Sequence, residues 1–168
     1  MVDAGLFTGA SATTFEPETD MTRGMFVTVL GRLAEADGSG ADAAAQFTDV
    51  AADGYYAPYV AWAAENGIVT GTESDKFEPD TPVSREQMAT ILYRYVQAKG
   101  DDVSVGEEAN ILSYADAASV SEYAVPAMQW ACGGGLINGT DNNRLAPQNN
   151  ATRAEVATIL MRFLEQAA

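Results

Sequence analysis

The stretch Thr152-Arg153-Ala154-Glu155-Val156-Ala157-Thr158-Ile159-Leu160-Met161-Arg162-Phe163 decides the fold. Val156, Ile159, Leu160 and Phe163 stand at i, i+3, i+4 and i+7, the spacing of one apolar stripe on an α-helix. The same stripe occurs twice earlier, as Phe26, Val29, Leu30 and Leu33, and as Met88, Ile91, Leu92 and Tyr95. Each stretch opens with a variant of one tetrapeptide: Thr22-Arg23-Gly24-Met25, Ser84-Arg85-Glu86-Gln87 and Thr152-Arg153-Ala154-Glu155.

Working outward, the repeat extends well beyond the helix. Gly9, Gly71 and Gly139 each precede a proline by eight residues (Pro17, Pro79, Pro147), and each proline precedes the tetrapeptide arginine by six. A second arginine follows nine residues later, at Arg32, Arg94 and Arg162. Self-similarity at a period of this size marks an array of supersecondary units. The offsets are 62 and then 68 residues, and the extra six fall in the connector Gln97 to Ser113; the connector from Ala34 to Gln46 is the shorter one. These polar segments lack helical apolar spacing, so they read as unit boundaries. The expected organisation is a partial first repeat over 1–36, a second over 47–98 and a third over 114–168, with linkers at 37–46 and 99–113.

Each complete unit reads as helix, loop, helix. The opening helix of the second unit, Tyr55 to Asn66, puts Tyr59, Trp62 and Ala63 on one face and ends at Gly67, a left-handed C-cap position. The third unit repeats this with Tyr123, Met128 and Trp130 and stops at Gly133-Gly134-Gly135. Pro58 and Pro126 occupy matching places, tolerable only near the first turn. The loop carries Phe77-Glu78-Pro79, Phe15-Glu16-Pro17 and Leu145-Ala146-Pro147, and its constant length marks it as ordered. Sliding the second unit back onto the first leaves roughly the first 16 residues of that unit without a counterpart. The chain is therefore expected to be a fragment, with Phe26, Val29, Leu30 and Leu33 partly uncovered and inviting self-association.

Composition narrows the function. A chain of 168 residues, 47% hydrophobic, buries a real core, and its net charge of −15 repels nucleic acid and anionic membrane surfaces. It contains no histidine, which removes the commonest general base and transition-metal ligand. One cysteine, Cys132, in an apolar run, permits no internal disulfide and reads as a buried small hydrophobe. No apolar stretch reaches the roughly 20 residues needed to span a bilayer, so no membrane insertion is expected. Met1-Val2-Asp3-Ala4-Gly5 has neither the basic start nor the apolar core of a signal peptide, so an export signal is expected elsewhere. Scattered acids give no paired carboxylates, and no catalytic residue is assigned.

The tetrapeptides carry the chemistry. Ser84 with Gln87 and Thr152 with Glu155 are capping boxes, and Thr22 is an N-cap. Capping does not require the arginine, which stands where the helix dipole disfavours a cation by roughly 0.3–1 kcal/mol. Arg23, Arg85 and Arg153 therefore read as anion sites, a guanidinium fork beside a helix N-terminus with free N–H groups. The other reading pairs them with Asp20, Asp80 or Glu86 as salt bridges. Arg32, Arg94 and Arg162 lie about half a turn round from them and read as structural or solvated. Trp62 and Trp130 read equally as core and as platforms for sugar rings. Asp141-Asn142-Asn143 and Glu73 to Asp80 lack the glycine and bidentate glutamate of a calcium loop, so no metal or other cofactor is expected.

Taken together, Phe47-Thr48-Asp49-Val50, Tyr55-Tyr56, Trp62-Ala63, Asn66-Gly67-Ile68-Val69-Thr70-Gly71, Phe77-Glu78-Pro79 and the arginine tetrapeptide resemble the S-layer homology repeat in order and spacing. Tyr114-Ala115-Asp116, Trp130-Ala131 and Gly135-Leu136-Ile137-Asn138-Gly139 repeat the pattern. The resemblance implies an all-α module in which three repeats pack pseudo-threefold around a central helical bundle. It implies grooves binding pyruvylated secondary cell-wall polysaccharide, with the tetrapeptide arginine as main ligand of the pyruvyl group. By position that role falls on Arg153, Arg85 and Arg23, ranked in that order, because Met25 and Gln87 replace the usual glutamate. The implied function is non-covalent anchoring of an exported protein at the bacterial cell surface. The alternative is a helical protein-interaction or self-assembly scaffold without glycan binding.

Overall fold

The helix boundaries follow from their capping residues. In the computed structural model, which describes residues 16–37, 46–104 and 110–167, α1 (Arg23–Leu33) starts where the Thr22 hydroxyl accepts the Met25 N–H at 3.2 Å. Helix α3 (Arg85–Ala98) starts at Ser84, where Gln87 N–H donates to the Ser84 hydroxyl and Ser84 N–H donates to the Gln87 side chain. Helix α5 (Arg153–Ala167) repeats that exchange between Thr152 and Glu155, at 3.2 and 2.9 Å. The shorter helices α2 (Ala57–Glu65) and α4 (Val125–Gly133) have no side-chain cap and carry Pro58 and Pro126 in their first turns, where the missing N–H breaks no helical bond. Gly9, Phe15 and the middles of both linkers lie outside the described residues.

Helices α2 and α4 end alike. Ile68 N–H donates to Ala63 O and Gly67 N–H to Ala64 O, a Schellman closure matched by Leu136 to Ala131 and Gly135 to Cys132. Gly67 and Gly135 take φ of +69° and +71°, which a side chain would strain. The closure turns Ile68 and Leu136 inward, where both are buried.

The described residues are all-helical apart from turns and isolated bridges such as Thr22 with Pro82 and Ser84 with Asn150. The chain divides into two compact units, Met1–Val83 and Ser84–Ala168. This division is offset from the sequence repeat. In the first unit α1 packs on α2, so the closing helix of one repeat meets the opening helix of the next; in the second unit α3 packs on α4 in the same way.

Two expectations are corrected here. Phe26, Val29 and Leu30 are buried and Leu33 half-buried, because α2 lies against α1, closely enough that a Cβ on Gly31 would fall 2.2 Å from the Tyr59 ring. The apolar stripe is therefore not an open face for self-association. Second, α2 buries Ala57, Val60, Ala61 and Ala63 while Tyr59 and Trp62 are half-buried. Tyr123 is 53% exposed, because Val125 opens α4 and leaves Tyr123 in the preceding turn.

Candidate functional site

The fixed-length proline loop locks the preceding helix. In the second unit, Asp116 accepts the N–H groups of Leu145 and Ala146 at 2.7 and 2.8 Å, which holds Ala146 at φ +49°. Ala146-Pro147-Gln148-Asn149 then closes a turn with Asn149 N–H on Ala146 O, proline occupying a favoured turn position. The loop carbonyls so aligned meet the start of α3. Arg85 N–H donates to Asn149 O at 2.9 Å, Glu86 N–H to Pro147 O at 3.0 Å, and Arg85 Nε to Leu145 O at 2.9 Å. In the first unit the pattern recurs residue for residue. Asp49 accepts from Phe77 and Glu78; Arg23 and Gly24 N–H groups donate to Thr81 O and Pro79 O; Arg23 Nε donates to Phe77 O at 2.9 Å.

This lock overturns one expectation. The first three N–H groups of α3 are occupied, by Asn149, Pro147 and the Ser84 hydroxyl, so the helix start offers them to no anion. The lock also explains the arginine in a first turn. Its Nε holds a loop carbonyl in a buried place, a contribution larger than the dipole cost.

The positive charge of the site therefore sits at the guanidinium ends. Arg85 is buried, and its Nη1 donates to Glu155 Oε1 at 3.1 Å, while Glu155 Oε2 serves the Thr152 cap. Two of its five N–H donors are engaged, by Leu145 and Glu155. Arg85 and Glu155 line a cleft of about 330 Å³, walled by the segment Leu136 to Thr140 and by Ala154, Thr158 and Ile159. Arg162 lines it as well, with Nη1 donating to Leu136 O at 3.1 Å. Glu86, considered above as a partner for Arg85, faces elsewhere: its buried carboxylate accepts from Ser121 N–H and hydroxyl, Tyr123 and Gln148.

The remaining candidates do not line this cleft. Arg153 is buried at the first position of α5. Arg23 is buried in the first unit with its guanidinium carbon 4.8 Å from the centre of the Phe77 ring. Trp62 is half-buried on α2. Trp130 is 7% exposed, packs edge-to-face on Tyr93, and lines a second cavity of about 410 Å³ with Phe163, Lys99 and Gln166. Burial pushes the Cys132 thiol up to about 11, against the opposing pull of Arg85, so it stays protonated at neutral pH.

Sequence reasoning passed over Asp49 and Asp116, quoted only as part of a motif. The available signal was spacing: they stand 28 and 29 residues before Phe77 and Leu145. Burial drives the Asp116 carboxyl pKa upward, but the N–H groups of Leu145 and Ala146 outweigh it and hold the net value below the ordinary one.

Helical repeats that clamp the next loop through an arginine at the same repeat position, with a cleft beside the Arg85 clamp, define a repeat-built binding module. The chain belongs to the S-layer homology domain family, which matches residues 46–89 and 113–157. It is similar to an endoglucanase of Bacillus sp. (strain KSM-635), at 32% identity over 97% of this chain and 17% of that protein. It is 29% identical to the surface-layer 125 kDa protein of Lysinibacillus sphaericus, over 98% of this chain and 13% of that protein. A cellulosome-anchoring protein of Acetivibrio thermocellus is 23% identical over 90% of this chain and 34% of its own length. The chain thus spans a small part of these relatives. Family and relatives place it outside the cell, at the cell surface, and no helix among the described residues is long and apolar enough to cross a membrane.

Proposed function

We propose that this chain attaches the protein that carries it to the bacterial cell wall, non-covalently, by binding an anionic, pyruvylated secondary cell-wall polysaccharide. The observation that carries the reading is the Arg85 cleft: a hollow of about 330 Å³ lined by two guanidinium groups, Arg85 and Arg162, and one carboxylate, Glu155, on a chain of net charge −15. On so acidic a protein an acidic polymer is repelled at long range, so capture depends on such a local cation. A guanidinium fork matches a carboxylate in shape and charge. The relatives add support of another kind. An endoglucanase, a surface-layer protein and a cellulosome-anchoring protein share this stretch, which suits a module of attachment more than any one reaction.

The test is binding of the chain to purified cell-wall sacculi before and after acid extraction of the secondary polymer. Binding lost on extraction, and weakened by salt, is the expected result. Equal binding to extracted sacculi, or none to either, overturns the reading, and self-assembly without glycan would then be the function to examine.

A further inference from the structure

The cleft's charges are not equivalent. Arg85 lies 3.1 Å from Glu155, so the carboxylate neutralises most of its charge within the cleft. Arg162 forms no ion pair among the described residues; its one hydrogen bond there is to the neutral Leu136 carbonyl. Two guanidinium groups and one carboxylate give the cleft a net positive charge, and the unneutralised share belongs to Arg162.

We infer that Arg162 is the residue that attracts and holds the acidic group of the ligand, while Glu155 acts as an internal carboxylate that keeps Arg85 in place and limits its pull on a second anion. This rests on the cleft reading above and deepens it. Arg162 stands at the side wall, half-buried, with its Nη1 fixed on Leu136 O. The anchor holds the guanidinium plane, so less side-chain entropy is lost on binding. Leu136 opens the segment running to Thr140, whose exposed Asn138, Gly139 and Thr140 line the same cleft and offer polar groups to a sugar. The acidic group lies toward Arg162 and the sugar ring along that segment.

The probe is the cyclic pyruvate ketal of a methyl hexopyranoside, titrated into the intact chain beside its methyl ester, with sacculi binding measured in parallel. Arg162→Gln is expected to weaken ketal binding about tenfold or more, the loss of a charge-assisted contact, and Arg162→Lys to retain part of it. Glu155→Gln, which keeps the cap acceptor just as Gln87 does in α3, is expected to tighten binding several-fold. The ester should bind weakly to every variant. Thermal melts confirm that each variant is folded, and amide shifts of Asn138 to Thr140 report whether the ketal still enters this cleft if Arg162→Gln is destabilised. Arg162→Gln binding the ketal as the parent does, or Glu155→Gln binding more weakly, overturns the inference while leaving cell-wall attachment intact. A parent chain that binds sacculi but not the ketal overturns it as well, and one that binds neither overturns both.

Discussion

Arg85 Nε donates to the carbonyl oxygen of Leu145 at 2.9 Å, across 60 residues of chain, and Arg23 does the same to Phe77 across 54. A residue suggested by the sequence to be a ligand site is thus also a structural clasp between one repeat and the next. Arg85→Ala should lower stability by about 2–3 kcal/mol, because a buried carbonyl loses its partner and Glu155 its counter-charge. Urea unfolding checks the magnitude. On sequence grounds Arg153→Ala should change stability by less than about 1 kcal/mol; with Arg153 only 6% exposed, a loss nearer that of Arg85 is expected instead.

Thr152→Ala removes one arm of the exchange with Glu155 and should cost about 1 kcal/mol. Thr22→Ala should cost less, since Met25 returns no hydrogen bond to the Thr22 N–H and only one arm exists there. Paired chemical melts of the two variants decide the order.

Asp116 supplies a pH dependence whose direction is fixed. Its folded-state pKa lies below the ordinary 3.8, so its contribution is fully present above that value and is lost as pH falls through the lower, folded one. Asp116→Asn keeps one acceptor but gives up the charge, and should cost about 1–2 kcal/mol near pH 7. Melting temperatures taken from pH 7 down to 3 should show parent and variant converging; a constant gap would assign the shift elsewhere.

Gly31→Ala should separate α1 from α2, because the new Cβ would lie 2.2 Å from the Tyr59 ring, whose neighbouring atoms are also within 3.1 Å. A cost of about 1–3 kcal/mol follows from overpacking. Adding Tyr59→Ala should recover part of the loss, a non-additivity that a double-mutant cycle reads directly.

Local chemistry was legible in the chain itself. The apolar stripe from Val156 to Phe163, the caps at Ser84 and Thr152, and the glycine stops at Gly67 and Gly135 depend on residues within a turn or two of one another, so the sequence displays them. The repeat spacing likewise exposed the family and the all-helical class. What lay beyond reach was pairing at a distance. Sequence order suggests that the two helices of one repeat form the unit, yet α3 packs on the α4 that follows it, since α3 has its buried face where the next opening helix arrives. Loop carbonyls leave no mark on residue type, so nothing in the sequence reveals that Asn149 and Pro147 fill the N–H groups of α3. The roles of Glu155 and Arg162 are set in the same way. Only the folded chain puts one carboxylate 3.1 Å from Arg85 and leaves Arg162 at the cleft wall without an ion pair among the described residues, because charge balance depends on distance in space and not on separation along the chain.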